Sequence, residues 1–200
     1  MNYRVLITEA VNEKGLELLR EQGYQLVMGT GPEEETLLRE CADCDGALTR
    51  NGKFSARVFD ACPNLKVVSM HGIGVDGIDV EAATARGIQV CNAAESNQRS
   101  VAEYAIGLIL MLAKQSVTYH NGLKSGQMAD VRKVYGSDVS GKTLGIIGMG
   151  NIGTQVARMA AHGLGMKVVG YSRRITKDQE MDFGVLTPDM KKVISGADYL

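Results

Sequence analysis

The segment Gly148-Met149-Gly150-Asn151-Ile152-Gly153 matters chiefly for the elements that flank it. The apolar run Lys142–Ile147 before it is typical of a short strand, and Thr154–His162 after it has apolar residues at helical spacing. A second strand-like run, Lys167–Tyr171, follows at the distance that completes a βαβ unit. The pattern predicts a strand, a tight glycine turn and a helix.

Each glycine of this turn has a physical use in binding a diphosphate. Gly148 can form the bend, Gly150 lets backbone N–H groups approach the anion, and Gly153 lets the helix lie close to the strand. The diphosphate would then lie at the positive end of the helix. A GxGxxG turn alone is a weak indication, and a purely structural turn is the alternative. The flanking elements favour a dinucleotide site.

The composition is that of an ordinary soluble globular protein. The chain has 200 residues, 44% of them hydrophobic, and a formal net charge of −1 at pH 7. This balance gives no reason to expect a nucleic acid or an anionic membrane as a partner. The apolar stretch Val101–Ala113 contains Glu103 and is shorter than the ~20 residues that a membrane span needs. We therefore expect it to form a helix buried within protein.

The start of the chain and its cysteines favour the cytoplasm. Met1–Ile7 runs directly into a strand-like segment and lacks the features of a signal peptide. Cys41, Cys44, Cys62 and Cys91 fit a reducing compartment better than a disulfide framework. Cys41 and Cys44 form a CxxC, but no second Cys or His pair lies nearby. We interpret them as ordinary thiols rather than a redox pair or a zinc site, and expect no metal.

Strand-like and helix-like segments alternate from the start of the chain, which predicts a parallel sheet covered on both faces. The polar segment Asn92–Asn97 is predicted to be a hinge, and residues 122–140 a connection into the dinucleotide strand. The predicted strands of the first part are Arg4–Thr8, Tyr24–Met28, Ala47–Thr49, Leu65–Met70 and Ile88–Cys91, and its predicted helices are Asn12–Gln22, Glu33–Cys41, Ser55–Ala61 and Val80–Ala85.

The pattern of the last residues predicts a helix followed by the start of a further strand. Pro188–Ser195 has a helical pattern, Gly196 is a typical stop, and Asp198–Leu200 is typical of the opening of another strand. A doubly wound nucleotide domain has about six strands, and fewer are predicted after the hinge. The expectation is a nucleotide-binding domain that is incomplete in this chain, as part of a longer protein.

Three ordered stretches, His71–Asp79, Asn97–Glu103 and Gly141–Gly153, resemble the D-isomer-specific 2-hydroxyacid dehydrogenases in order and spacing. This family includes phosphoglycerate, glyoxylate and hydroxypyruvate reductases. The resemblance implies a two-domain α/β protein: a flavodoxin-like substrate domain, opened by residues 1–98, and a Rossmann NAD(P)-binding domain, residues 99–200. It places the active site in the cleft between them.

The resemblance also implies a set of substrate-binding residues. Arg50 and Asn51 match the family position where residues after a strand approach the substrate, and the amides of Ile73 and Gly74 match the loop that binds its carboxylate. Successive N–H groups in a glycine turn can form such an anion site. The alternatives are a solvated surface charge at Arg50 and glycines that merely relieve a turn.

The cofactor preference depends on the end of the second strand. NAD-binding βαβ units carry an Asp or Glu that binds the ribose hydroxyls, whereas Ser172 stands at the place where many family members have Asp. Arg173 and Arg174 offer charge for a 2′-phosphate, so NADP is favoured over NAD; solvated arginines and NADH are the alternative. The complete set of expected cofactor-binding residues is Val101, Gly148, Gly150, Asn151, Ile152, Gly153, Ser172, Arg173 and Arg174.

The implied activity is oxidoreduction at the CH–OH group of a D-2-hydroxy acid, or reduction of the 2-keto acid, with NAD(P) carrying the hydride. The family's catalytic Arg, acidic residue and His would lie beyond residue 200, so the 200-residue chain alone is expected to be inactive. The resemblance also implies a homodimer, since the family's long helix and its flanks build a dimer, and the apolar stretch Tyr104–Ala113 is hard to bury in a small domain alone. One alternative is a dinucleotide-sensing, corepressor-like scaffold without turnover. An alanine-dehydrogenase-like enzyme fits the GxGxxG but not the other two motifs.

Overall fold

Five parallel strands form the first of two units into which the chain divides, one ending at Ser96 and the other comprising Asn97–Leu200. The computed structural model describes residues 3–200. The strands lie in the order β2-β1-β3-β4-β5, which is the flavodoxin-like order of a doubly wound sheet. They are β1 (Arg4–Ile7), β2 (Gln25–Met28), β3 (Gly46–Thr49), β4 (Val67–Met70) and β5 (Gln89–Asn92).

A helix follows each of the first four strands, as the alternating pattern predicted. These helices are α1 (Glu13–Glu21), α2 (Glu34–Glu40), α3 (Ala56–Ala61) and α4 (Val80–Ala85). Polar residues begin two of them: the side chain of Asn12 accepts from the N–H of Lys14, and that of Asp79 from the N–H of Ala82. The core contains Leu37, Val58 and Ala83 from α2, α3 and α4, together with Leu6, Ala47 and Val68 from the sheet.

The second unit has a four-stranded sheet in the order β6-β7-β9-β8, in which β8 runs antiparallel to β9. Strands β6, β7 and β9 are parallel neighbours. The strands are β6 (Thr143–Ile147), β7 (Lys167–Tyr171), β8 (Gln179–Met181) and β9 (Gly184–Thr187). The helices are α5 (Gln98–Ala113), α6 (Ser116–Lys124), α7 (Met128–Val131), α8 (Asn151–Arg158) and α9 (Met190–Gly196), and α8 continues as a π-helical segment, Met159–Gly163.

Parts of the second unit differ from the sequence-based prediction. Residues 122–140 are not only a connection, since they contain the end of α6 and all of α7. The β8–β9 hairpin was not predicted, because β8 is short, polar and exposed and so lacks the alternating pattern of a strand. The expected strand at Asp198–Leu200 is a single parallel bridge between Tyr199 and Leu144. Helix α8 begins at Asn151, three residues earlier than expected.

Gly184 shows why the β8–β9 turn needs glycine. Its φ is +144°, a backbone conformation that other residues rarely adopt, and a Cβ there would overlap the carbonyl oxygen of Val168 on β7. The hairpin can therefore lie directly against β7.

Among residues 3–200, no single helix is both long enough and apolar enough to cross a bilayer, although the bent pair α5 and α6 passes that test on length and composition when taken together.

Candidate functional site

Each of the three glycines of the GxGxxG segment occupies its position for a different structural reason. Gly148 has φ +105°, so a side chain there would strain the backbone. Gly150 immediately precedes α8, and a Cβ on it would face open space. A Cβ on Gly153 would overlap the carbonyl oxygen of Gly148, so only glycine allows α8 to lie this close to the strand end. The open space above Gly150 is what a bound diphosphate requires.

A cleft of about 360 Å³ opens at the carboxyl ends of β6 and β7. This is the edge of a parallel sheet where doubly wound folds bind their ligands. The lining comprises the glycine turn on one side and the residues after β7 on the other, namely Ile147, Gly148, Met149, Gly150, Tyr171, Ser172, Arg173 and Arg174. Five of the nine residues expected from the sequence to bind the cofactor are thus brought together here.

The remaining four expected cofactor residues lie elsewhere in the second unit. Asn151, Ile152 and Gly153 form the first turn of α8, immediately after the glycine turn. Val101 lies near the start of α5, is 38% exposed, and does not line the cleft. The structure brings the turn and the β7 end together, but it gives Val101 no place in the cleft lining.

The charges at the β7 end favour an anionic ligand. Within residues 3–200, neither Arg173 nor Arg174 forms an ion pair, and both side chains are exposed. The Ser172 hydroxyl accepts from the N–H of Arg174 at 3.3 Å, which shapes the turn that carries the arginines. The first acid downstream, Asp178, is bound to Lys192 at 2.6 Å. The hydrogen bond from Lys192 is the largest cause that lowers the pKa of Asp178.

The predicted substrate residues Arg50 and Asn51 follow β3 in the first unit. Their backbone N–H groups donate to Oε2 of Glu9 at 3.0 and 2.8 Å, and the side-chain Nδ2 of Asn51 donates to Oε1 of Glu9 at 2.6 Å. Arg50 and Asn51 are exposed. The backbone N–H groups of Arg50 and Asn51 and the Nδ2 group of Asn51 thus all donate to protein, which leaves the Arg50 guanidinium and Oδ1 of Asn51 for a ligand.

The loop after β4 presents Ile73 and Gly74. The carbonyl groups of this loop are held from β5 and its end, since Asn92 Nδ2 donates to the oxygen of Ile73 at 2.7 Å and the N–H of Ala93 to that of Gly72 at 2.8 Å. Within the part of the chain that the structure describes, the N–H groups of Ile73 and Gly74 donate to no protein acceptor. Neither Gly72 nor Gly74 has a positive φ, so the loop is not a nest of alternating right- and left-handed residues.

Three of the four cysteines form part of the core of the first unit. Cys41, Cys44 and Cys62 are buried free thiols, and Cys91 is exposed. A hydrogen bond with Cys62, and then burial, raise the pKa of the Cys41 thiol. Among residues 3–200, no group of three or more His, Cys, Asp or Glu side chains could hold a metal ion.

Comparison with known proteins identifies the family to which this chain belongs. Residues 5–190 match the family model described as "D-isomer specific 2-hydroxyacid dehydrogenase, catalytic domain". The chain belongs to this family. The resemblance inferred from the three sequence motifs is confirmed, and so is the α/β fold class, with a flavodoxin-like unit and a Rossmann-type unit.

Individual relatives are longer than this chain. It is 37% identical over 199 residues to D-3-phosphoglycerate dehydrogenase of Methanocaldococcus jannaschii, with 98% of this chain and 37% of the relative covered. It is 34% identical over 212 residues to glyoxylate reductase of Thermococcus kodakarensis, covering 100% of this chain and 62% of that enzyme. The crystal structure of NAD-dependent formate dehydrogenase from Staphylococcus aureus in complex with NAD has a TM-score of 0.81 at 26% identity, with coverage of 99% and 63%. The chain thus spans about two fifths to two thirds of the length of the relatives that it resembles.

Sequence reasoning missed two residues that support the candidate site, Glu9 and Asn92. Glu9 directly follows Thr8 at the end of β1, and Asn92 is the last residue of β5. Polar residues at the carboxyl ends of parallel strands in the same sheet are the signal that could have indicated them.

Proposed function

We propose that this chain forms the cofactor-binding part, and one side of the substrate pocket, of a D-2-hydroxyacid dehydrogenase. The observation that supports this most directly is the shared cleft, in which Gly148 and Gly150 face the same space as Ser172, Arg173 and Arg174. A turn free of side chains next to a helix start suits a diphosphate, and arginines at the neighbouring strand end suit a phosphorylated ribose.

The residues present fit a nicotinamide dinucleotide. The amides at the start of α8 would hold the diphosphate above Gly150, where a Cβ would meet no other atom within 4 Å. Ser172, Arg173 and Arg174 would hold the adenosine ribose and, in NADP, its 2′-phosphate. When bound, the nicotinamide supplies the hydride acceptor or donor of the reaction. Family membership, and the NAD complex of the formate dehydrogenase that it resembles, support the cofactor class.

NADP is the preferred cofactor in this proposal. An NAD-binding site repels the 2′-phosphate with an acid at the end of the second strand, and here Ser172 is followed by two arginines without ion pairs among the described residues. Asp178 cannot serve as that acid while it binds Lys192 at 2.6 Å. A guanidinium binds phosphate oxygens through two parallel N–H groups, so either arginine suits the phosphate.

The substrate class in this proposal is a small 2-keto or 2-hydroxy acid. The phosphoglycerate dehydrogenase and glyoxylate reductase to which the chain is similar support that class. The Arg50 side chain and the free N–H groups of Ile73 and Gly74 would bind its carboxylate, and the Asn51 side chain would contact the same substrate. In this proposal residues 1–98 open the substrate domain and residues 99–200 belong to the nucleotide domain.

A homodimer completes the proposed assembly. The α5–α6 surface exposes large apolar side chains, with Tyr104 69%, Leu112 66% and Val117 55% exposed. A groove of about 270 Å³ runs along it, lined by Leu108, Met111, Leu112, Gln115, Val117 and Thr118. A second copy of the chain would cover this apolar surface. We place the dimer in the cytoplasm, where free buried thiols such as Cys41 remain reduced.

Two measurements test this function: the binding of NADPH or NADH, and then the turnover of 2-keto acids. The fluorescence of NADPH or NADH, excited directly at the reduced nicotinamide, reports binding. We expect saturable binding of NADPH, and NADPH-dependent reduction of glyoxylate or hydroxypyruvate by the protein as its cell produces it. Gly150→Ala should weaken binding without unfolding the protein, because its Cβ meets only open space. Cofactor binding without turnover of any 2-keto acid would favour a dinucleotide-sensing scaffold instead.

A further inference from the structure

Glu9 connects the ends of two strands through its carboxylate. Oε2 accepts from the N–H groups of Arg50 and Asn51 at 3.0 and 2.8 Å and from the hydroxyl of Thr8 at 3.1 Å. Oε1 accepts from Nδ2 of Asn51 at 2.6 Å. One side chain after β1 thus binds three donors in the loop after β3, which lies 41 and 42 residues further along the chain.

A carboxylate determines which end of the Asn51 amide faces it. An ionised carboxylate only accepts hydrogen bonds, so the amide must present its nitrogen to Glu9. Oδ1 of Asn51 is then left to accept from another group. The orientation of an asparagine amide is otherwise ambiguous, and here the chemistry of Glu9 resolves it.

Buried contacts hold the base of the same loop. Oγ1 of Thr8 and Oγ1 of Thr49 lie 2.9 Å apart, and because the Thr8 hydroxyl donates to Glu9, it accepts here from the hydroxyl of Thr49; Oγ1 of Thr49 in turn accepts from the N–H of Gly52 at 2.8 Å. Both threonines are 1% exposed. Further along, the N–H of Phe54 donates to the carbonyl oxygen of Gly77 at 2.9 Å. The loop is fixed at both ends, and Glu9 holds the exposed residues between them.

Glu9 stays ionised at neutral pH in this environment. Burial by itself would raise the pKa of its carboxyl group, but the hydrogen bonds from Asn51, Arg50 and Thr8 together lower the pKa below its ordinary value. The acceptor-only state that orients Asn51 is therefore the state present under physiological conditions.

We propose that Glu9 is a positioning residue, which holds the Arg50–Asn51 backbone and turns Oδ1 of Asn51 outward to accept a hydrogen bond from the hydroxyl group of a 2-hydroxy acid substrate. This inference rests on the proposed function only in assigning Arg50 and Asn51 to the substrate. Glu9 itself does not contact the substrate, and its effect passes through the loop.

The test uses Glu9→Gln with Glu40→Gln as a matched control. A glutamine at position 9 has a single acceptor oxygen, so either the loop amides lose their acceptor, or its NH₂ group faces Asn51 and the Asn51 amide must turn Oδ1 inward to accept from it. Glu40 makes similar contacts with a different loop, accepting from the N–H and the hydroxyl of Thr30 at 3.0 and 2.6 Å after β2. No predicted substrate residue lies in that loop.

Two readouts are compared in the intact protein. We expect Glu9→Gln to speed hydrogen exchange at the amides of Arg50 and Asn51 by about tenfold, and to raise KM for the 2-hydroxy acid in the oxidation direction by about tenfold, the size of effect expected from the loss of one strong hydrogen bond. KM for the cofactor should change less than about twofold, because the cofactor has its own binding residues. Glu40→Gln should alter neither quantity.

An Asn51→Ala background separates positioning from a general loss of structure. If Glu9 acts through Asn51, Glu9→Gln should raise KM much less in that background than in the wild type. Equal effects in the two backgrounds, unchanged exchange at Arg50 and Asn51, or an equal rise in KM from Glu40→Gln would each overturn the inference. If the wild-type protein reduces no 2-keto acid, the proposed function fails, and exchange at the two amides alone then decides whether Glu9 holds the loop.

Discussion

A β-carbon on Gly153 would overlap the carbonyl oxygen of Gly148, so the first turn of α8 lies against the end of β6 with no room for a side chain. The atom in the way belongs to the backbone, which cannot rotate aside as a flexible side chain can. This close approach sets where the amides at the start of α8 lie relative to the cleft that Gly148 and Gly150 line.

We expect Gly153→Ala to lower the free energy of unfolding by about 1–3 kcal/mol, the usual cost of forcing extra volume into a packed site. Urea denaturation measures it. Gly107→Ala is the control, since a Cβ at this helical position meets nothing within 4 Å. Removing a helical glycine there should leave stability unchanged or raise it by about 0.5–1 kcal/mol. Equal stability of Gly153→Ala and the wild type would show that α8 can move away from β6 at no cost.

Arg173→Ala and Arg174→Ala test the cofactor preference. If an arginine binds the 2′-phosphate, its loss should reduce kcat/KM for NADPH roughly tenfold or more and leave kcat/KM for NADH nearly unchanged. The control is Lys177→Ala, which removes an exposed positive charge close in sequence that does not line the cleft. A preference for NADH that neither arginine variant alters would contradict the assignment.

Leu112→Glu should dissociate the proposed dimer. The side chain is 66% exposed on α5, so a charge there costs the separate chain little but would be buried without a partner in an interface. Light scattering of the intact protein at micromolar concentration measures the mass. Leu18→Glu introduces the same charge at an equally exposed leucine, 62% exposed on α1, and should leave the mass unchanged. A wild-type protein that is strictly monomeric would contradict the proposal.

A chain that ends at Leu200 should bind NADPH yet reduce neither glyoxylate nor hydroxypyruvate. The glycine turn and the arginines of the cleft are present in it, whereas the resemblance assigns the proton-transferring His and the carboxylate-binding Arg to positions beyond residue 200. A steady-state assay with both cofactors measures turnover. Robust turnover by a chain of verified mass would mean that residues within 1–200 carry the catalysis.

We expect the four cysteines of this chain to differ in their reactivity toward thiol reagents. Cys91 is exposed, whereas Cys41, Cys44 and Cys62 are buried. The pKa of Cys41 is raised by its hydrogen bond with Cys62 and by burial, and a thiol reacts through its thiolate form. A disulfide-exchange reagent should therefore label Cys91 rapidly in the native protein, and Cys41, Cys44 and Cys62 only after denaturation, as peptide mass spectrometry would show. Rapid labelling of Cys41, Cys44 or Cys62 in the native protein would show that the first core opens readily.

Much of the architecture could be predicted because its signals are local. The glycine spacing, the flanking apolar runs and the alternation of strands with helices lie within short windows, and the three family motifs occur in order along the chain. The same locality accounts for the predicted chemistry of the turn, since each glycine acts within a few residues of its own position. Even the missing acid after Tyr171 is visible as a local departure from the usual pattern.

Other features depend on partners far apart in the chain, which no local pattern contains. The β8–β9 hairpin exists because β9 pairs with β7, so the exposed polar strand Gln179–Met181 could not be recognised by its own residues. Glu9 meets Asn51 only because β1 and β3 are neighbours in the sheet, and Arg173 shares a cleft with Gly150 only because β6 and β7 are. Strand order brings these groups together, and strand order is a property of long-range pairing. Local sequence patterns therefore determined the fold class and identified most of the candidate site residues. The contacts that position those residues were decided by the tertiary structure.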